Sequence, residues 1–178
     1  EQVAIMREII TNTQFDNGER LLEIIREMKA LMESSISGDG HRVAYGRLLS
    51  HLSSAEAFEE KTKGLTFYHF VCEIEKDWEN RKEKTIAGLK TAYAYLNNKK
   101  RIVVGVTVDE DLTQTVTEEI TQGLYDMQEA DYSPLQMKFE VSEEKEALIY
   151  PSQVNYVATG YNFKEAGYNY NGGLMMLK

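Results

Sequence analysis

Residues 40–50 read Gly40-His41-Arg42-Val43-Ala44-Tyr45-Gly46-Arg47-Leu48-Leu49-Ser50, and residues 64–70 read Gly64-Leu65-Thr66-Phe67-Tyr68-His69-Phe70. The apolar residues of the first run recur at helical spacing and predict a helix over 41–50. Ser53 and Glu56 have the spacing of a capping box, which predicts that a new helix begins there. Gly64 ends that helix, and the apolar positions after it predict another. This stretch therefore indicates a block of short helices.

Further helices are predicted on both sides of this block, because apolar residues again recur at helical spacing. They cover about 21–32, 86–96 and 111–127, with a last helical pattern at 173–177. Two other runs are typical of strands. Arg101–Val108 is rich in β-branched residues, and Gln153–Thr159 follows Tyr150-Pro151. The sequence thus predicts an α+β fold, a mostly helical block with β-strands.

The composition excludes several classes of protein. The 178 residues carry a formal net charge of -9, which argues against nucleic acid as a partner because phosphate binding needs clustered Lys and Arg. No apolar run approaches the roughly 20 residues of a membrane-spanning helix, and no signal peptide is visible. The single cysteine, Cys72, excludes an internal disulfide framework. Because the chain opens at Glu1 and closes at Lys178 within helical patterns, we expect a piece of a longer protein.

Two separated motifs resemble one known family. The first is the run of 40–50, followed by Phe58-Glu59-Glu60 and the run of 64–70; the second is Tyr150-Pro151-Ser152-Gln153-Val154-Asn155-Tyr156-Val157-Ala158-Thr159-Gly160, continued at 168–174. Together they resemble the C-terminal half of insulinase/pitrilysin-family zinc metallopeptidases of the presequence-protease, falcilysin-like branch. The resemblance covers the chain from about residue 15 to its end.

The resemblance implies an architecture and a domain division. Members of the family look like a clamshell of four homologous α+β domains with LuxS/metallohydrolase-like folds, and this chain would form part of one half. Residues 1–130 would be the latter part of the third peptidase domain, and residues 131–146 a linker. Residues 147–178 would start the fourth domain. An isolated start of this kind buries little apolar area, so we expect it to be less protected than the helical block or to form a homodimer.

No catalytic or metal-binding residue is assigned within the chain. The family's inverted zinc motif places two histidines four residues apart on one helical face, with a glutamate between them. Here His41, His51 and His69 stand ten and eighteen residues apart, so that motif is absent. The resemblance places the zinc cofactor in the N-terminal half of a parent protein. Cys72 lies among apolar residues and is interpreted as a core cysteine, and the substrate-binding residues are unknown.

Three functions follow as hypotheses. The first is a non-catalytic segment of a zinc-dependent endopeptidase that degrades unfolded peptides, where it forms part of the substrate chamber with the N-terminal catalytic half as its partner. The alternative is a stand-alone acidic, helical protein-interaction module without catalysis. The third is an independent hydrolase that uses His41, His51 and His69. We expect a cytoplasmic location, or an organellar matrix in a eukaryote.

Overall fold

A computed structural model describes residues 2–125, 127–131, 133, 136–139, 141, 145–151, 153–169 and 171–177. Seven α-helices lie within these residues: α1 Gln2–Asn12, α2 Gly18–Gly38, α3 Gly40–Ser50, α4 Ser54–Lys63, α5 Leu65–Lys76, α6 Trp78–Leu96 and α7 Thr113–Leu124. Short 3-10 helices cover Lys99–Arg101, Glu110–Leu112 and Gly172–Leu177. None of the described helices combines the length and the apolar character that a membrane span requires.

Local hydrogen bonds explain where the helices begin and end. The Asn17 side chain caps α2, because its Oδ1 accepts a hydrogen bond from the backbone N of Arg20 at 3.0 Å. The neighbouring Asp16 instead accepts a hydrogen bond from Lys90 Nζ. Gly64 separates α4 from α5, and its N–H donates to the carbonyl of Glu60 at 3.0 Å. The helix end that the sequence predicts at this glycine is confirmed.

The chain forms two compact units, and each unit is built from two separate stretches of sequence. Unit 1 comprises Glu1–Glu23 and Asp77–Leu135, and unit 2 comprises Ile24–Lys76 and Gln136–Lys178. One boundary therefore falls within α2 and the other between α5 and α6. The division of 1–130, 131–146 and 147–178 among successive peptidase domains stays a prediction.

Unit 1 is centred on α6, which contributes Trp78 and Ile86 to the core together with Met127. Helix α1 packs against α7. The loop before α2 is held by aromatic packing, since the ring of Phe15 meets that of Tyr93 edge-on at a centroid distance of 5.4 Å. The Tyr93 hydroxyl also donates to the carbonyl of Ile10 at 2.6 Å. These contacts join α1 and the following loop to α6.

A fully buried asparagine closes the end of α6. Asn98 donates through Nδ2 to the carbonyl of Ala130 at 2.6 Å, and its Oδ1 accepts from the backbone N of Lys100 at 3.1 Å and of Ala130 at 3.3 Å. A buried amide of this kind is stable because its donor and acceptor groups are satisfied. Asn98 thereby fixes the turn after α6 to residue 130.

Unit 2 is a packed set of short helices. Helix α4 lies against both α3 and α5. The buried apolar side chains come from three of the unit's helices and are Ile25, Ala57, Val71 and Ile74. The helical block predicted from the sequence is confirmed here, since the helices at 40–76 fall where the apolar spacing indicates.

The predicted α+β fold is wrong, because the part of the chain that the structure describes contains helices and no β-strand. Residues 102–109 are irregular, with Ile102 in an extended conformation and Val103 95% exposed. Residues 155–162 are also irregular, and Val157 is 92% exposed. Their β-branched composition favours an extended backbone. A strand also needs a neighbour that completes its hydrogen-bond ladder, and no described segment provides one.

Candidate functional site

The most connected polar group of unit 2 is the guanidinium of Arg47 on α3. Its Nη1 donates to Glu60 Oε1 at 2.9 Å, and its Nε donates to Glu146 Oε2 at 2.7 Å. A further bond from Nη2 to Glu146 Oε1 makes the second contact bidentate. The Arg47 side chain is 19% exposed and that of Glu60 is 8% exposed. We call Arg47, Glu60 and Glu146, with Thr66, the Arg47 junction.

Glu60 connects this junction to the start of α5. Its Oε1 accepts a hydrogen bond from the backbone N of Thr66 at 2.9 Å and from the Thr66 hydroxyl at 3.2 Å. The first amides of a helix have no partner within the helix, and a carboxylate satisfies them and opposes the positive end of the helix dipole. Glu60 therefore caps α5 from the preceding helix.

Gly64 is required for this cap because the Glu60 carboxylate lies against its backbone. A Cβ at position 64 would fall 2.0 Å from Glu60 Oε2 and 2.5 Å from Glu60 Cδ. The φ angle of Gly64 is −87°, which any residue can adopt. The glycine is thus needed for space and not for its conformational freedom.

The charges of the junction shift the pKa values of its members. The hydrogen bond from Arg47 lowers the pKa of Glu146, and the Glu146 and Glu60 carboxylates raise the pKa of Arg47. His51 lies nearby, with Nε2 3.6 Å from Glu146 Oε2. The Arg47 guanidinium bonds two carboxylates at once. This arrangement positions α3, α4, α5 and residue 146, and it leaves Arg47 in no position to act as a substrate clamp.

A second polar cluster joins α2 to α5. Lys29 Nζ donates to Glu75 Oε2 at 2.8 Å, and Arg26 Nε donates to Glu75 Oε1 at 3.2 Å. The Lys29 hydrogen bond lowers the pKa of Glu75, and the Glu75 hydrogen bond raises the pKa of Lys29. Elsewhere on the same two helices, the Tyr68 hydroxyl donates to Glu33 Oε1 at 2.9 Å. These bonds fix the mutual position of α5 and the part of α2 that belongs to unit 2.

The described part of 136–162, which we call the return segment, lies on the helices of unit 2. Near its start, the Phe139 ring meets the Phe58 ring edge-on, with a centroid distance of 5.4 Å, and carries Lys61 Nζ 5.2 Å from its own centroid. At its end, Asn162 Nδ2 donates to the carbonyl of Leu52 at 3.0 Å. These anchors are made by side chains, so the segment is held at discrete points.

The middle of the return segment is held by two tyrosines. The Tyr150 hydroxyl donates to the hydroxyl of Ser37. The Tyr156 ring lies 5.8 Å from the ring of His41 and covers Gly40, where a Cβ would fall 2.9 Å from Tyr156 Cε2. Gly40 thus allows the close approach of Tyr156.

The three histidines have separate environments. His41 contacts Tyr156, His51 lies beside Glu146, and the ring of His69 lies 5.5 Å from that of Tyr68. Among the described residues, no three His, Cys, Asp or Glu side chains are arranged to hold a metal ion. The donor set for the family's zinc is thus not found in the described residues. Cys72 is half-buried on α5, where its thiol and Glu33 raise the pKa of Tyr68.

The sequence analysis quotes Arg47, Glu60 and Thr66 as motif residues but gives them no role. Arg47 stands four residues after Val43 and therefore shares its helix face, and an arginine beside an apolar position signals a buried ion pair. Glu60 stands four residues before Gly64. The third member, Glu146, carries no local signal, because it lies 99 residues from Arg47 in sequence.

Comparisons with known proteins place these residues in a family context. The model of the family of regions associated with peptidase family M16, subgroup C, matches residues 1–74. "Protein HypA" of Clostridium perfringens (strain 13 / Type A) is 31% identical over 176 residues, which cover 99% of this chain and 18% of that protein. "Presequence protease 1, chloroplastic/mitochondrial" of Arabidopsis thaliana is 24% identical over 174 residues, which cover 97% of this chain and 16% of that protein. The chain thus spans less than a fifth of the length of both relatives.

Proposed function

Because the chain belongs to the M16 peptidase family, as a region associated with its subgroup C, we propose that it is a non-catalytic segment of a zinc-dependent endopeptidase that degrades unfolded peptides. In this proposal the segment forms part of the wall of a substrate chamber and associates with an N-terminal catalytic half. The zinc and its ligands belong to that other half. The segment supplies shape and contact surface.

The observation that carries the proposal is the extent of the match to the presequence protease. The similarity runs over 97% of this chain but occupies 16% of the relative, so the chain corresponds to one part of a much larger protein. A part of that size in a peptidase has a structural or a binding role when it lacks the catalytic residues. The described residues fit such a role, since their polar groups are used in pairs that fix helices.

The geometry of the Arg47 junction supports a positioning role. The motif that carries the family resemblance brings Arg47, Glu60 and Gly64 together, and these residues order the turn between α4 and α5. In the proposed parent, this order determines the surface that unit 2 presents to the rest of the protein. Apolar side chains such as Val103 and Val157 are exposed, and association with the other half would cover surface of this kind.

The test uses the full-length parent protein, taken from the open reading frame that contains this sequence. We expect the parent to carry an inverted zinc motif upstream, to bind one zinc ion per chain by elemental analysis, and to cleave a quenched fluorogenic unfolded peptide. The Arg47→Ala parent should keep its zinc but lose much of its cleavage rate, because unit 2 loses its order. The Arg20→Ala parent, changed at an exposed ion pair with Glu23, should cleave like the unaltered protein.

Two outcomes contradict the proposal. A reading frame without an upstream zinc motif favours the stand-alone interaction module. A parent whose Arg47→Ala variant cleaves peptide at the unaltered rate, despite a measured loss of stability, shows that this segment does not support catalysis.

A further inference from the structure

A groove in unit 2 is lined by helix faces that the proposed function does not use. Its volume is about 230 Å³, and its walls are one face of α2, one face of α3 and the junction of α4 with α5. The half-buried side chains of Met32, Ile36, Val43 and Leu65 form an apolar floor. Pockets for drug-sized ligands measure roughly 300–1,000 Å³. This groove therefore fits one large side chain of a peptide and not a cofactor.

A glycine in the middle of α3 keeps the groove open. Gly46 lines the groove, and a Cβ at this position would meet no atom within 4 Å. Glycine inside a helix costs about 1 kcal/mol relative to alanine. Gly40 and Gly64 are explained by the close approach of Tyr156 and Glu60, but no side chain approaches Gly46. Its effect is to leave room for a group that enters from outside.

The rim of the groove carries two cations in exposed ion pairs, Arg42 and Lys63. Arg42 Nη1 lies 4.0 Å from Asp39, three residues earlier, and Lys63 Nζ lies 2.8 Å from Glu59, four residues earlier. Exposed pairs of this kind contribute little, so a carboxylate from outside can replace either partner. The other acid of the lining, Glu60, is compensated by Arg47.

From this combination we infer that the groove binds a peptide segment in which one large apolar side chain is flanked by carboxylates. The apolar side chain lies over Gly46 and contacts Met32 and Leu65, and the carboxylates pair with Arg42 and Lys63. Charge complementarity selects an acidic segment, although the whole chain is acidic at a formal charge of -9. The inference goes beyond the proposed function and does not need the catalytic half.

The experiment is a titration of the 178-residue chain with three blocked pentapeptides at low salt, followed by backbone amide shifts in NMR spectra. The peptides are Gly-Glu-Phe-Glu-Gly and its Gln and Lys analogues. We expect saturable shifts at Gly46, Gly64 and Leu65 with the Glu peptide, and a Kd of about 1 mM or below. The Lys peptide binds about 3- to 30-fold more weakly, the range that two exposed ion pairs provide.

Matched variants locate the site. Gly46→Leu fills the groove and weakens binding at least about 10-fold, since the apolar side chain loses its place. Gly88→Leu is the control: Gly88 also lies within a helix, α6, and a Cβ there would also meet no atom within 4 Å. It should bind like the unaltered chain. The double variant Arg42→Glu/Lys63→Glu keeps Gly46 and should prefer the Lys peptide.

Each result of the titration either supports or overturns the inference. Equal binding of the Glu and Lys peptides, unchanged binding in Gly46→Leu, or no saturable shift overturns it. None of these results bears on the zinc content or the peptide cleavage of the parent, so they are distinct from a failure of the proposed function.

Discussion

The carboxylate of Glu60 lies against the backbone of Gly64 so closely that a Cβ at position 64 would fall 2.0 Å from Glu60 Oε2. The carboxylate has little freedom to move away, because the same side chain bonds Arg47 and the first turn of α5. A single missing methyl group thus determines how α4 continues into α5. This relationship gives the first prediction.

Gly64→Ala should lower the free energy of unfolding by about 1–3 kcal/mol, because the new Cβ displaces Glu60 from its charged hydrogen bonds. Urea unfolding measures the change. Gly46→Ala is the matched control and should stabilise by up to about 1 kcal/mol, since its Cβ meets open space in a helix. In a Glu60→Ala background the Gly64→Ala loss should largely vanish. An undiminished loss in that background would show that Glu60 is not the cause.

Arg47→Ala should destabilise the chain by about 3–5 kcal/mol, the range for removing one partner of a buried ion pair. The substitution leaves the Glu60 carboxylate, 8% exposed, without its counter-charge. The control is Arg20→Ala, which breaks an exposed pair with Glu23 and should change stability by less than about 1 kcal/mol. Similar losses in the two variants would mean that the Arg47 junction has no special weight.

The Arg47–Glu146 bond should make stability depend on acid pH. Arg47 lowers the pKa of Glu146 in the folded chain, so the unfolded chain takes up this proton first as pH falls. The contribution is complete well above the unfolded value of about 4.3, and it is lost as pH falls through that value towards the lowered one. Glu146→Gln should therefore show a smaller loss of stability between about pH 5.5 and pH 3 than the unaltered chain.

Unfolding by urea across that range measures the effect. The control is Glu8→Gln on the exposed surface of α1, which should keep the pH dependence of the unaltered chain. If Glu146→Gln follows the same curve as the unaltered chain, the bond contributes nothing to the acid transition.

Asn98→Ala should destabilise unit 1 by about 1–3 kcal/mol, because Ala130 and Lys100 lose their partner at a fully buried site. Hydrogen exchange at the Ala130 amide should become faster. The comparison is Asn80→Ala, which removes an exposed bond to Asp77 and should have an effect of about 0.5 kcal/mol or less. Slow exchange at Ala130 in the Asn98→Ala variant would contradict this role.

Backbone amides of 155–159 should exchange faster than those of α5 in the isolated chain. Residues 155–159 are irregular and are attached through side chains such as Tyr156, whereas α5 has helical hydrogen bonds and the buried Val71. Native-state hydrogen exchange measures both sets in one sample. Equal protection would mean that 155–159 has a hydrogen-bonded partner, for example in a second copy of the chain.

The helical block is predictable from the sequence because its signals are local. The capping spacing of Ser53 with Glu56 and the stop at Gly64 place α4 within a residue of its observed ends. The two predicted strands are wrong for a physical reason. The β-branched composition of 101–108 reports a preference for extended backbone, which Ile102 does adopt. Pairing depends on a distant segment, and composition carries no information about it.

The same distinction holds for the Arg47 junction. The spacing of Val43 and Arg47 carries enough information to place Arg47 on the inward face of α3, where a guanidinium needs an acid. Its partner Glu60 lies only 13 residues away, at a helix end that the sequence identifies. Glu146 belongs to a polar stretch that looks like a linker by composition. Its bidentate bond to Arg47 depends on how the chain returns to unit 2.

That return has a consequence for synthesis on the ribosome. Unit 2 needs Ile24–Lys76 and Gln136–Lys178, and the roughly 60 residues between them take about 3–12 s to translate at ~5–20 residues per second. In this interval Arg47 and Glu60 can already pair, but Glu146 does not yet exist. The nascent chain therefore presents half of the Arg47 guanidinium, and the helix surface around it, to whatever meets it at the tunnel exit.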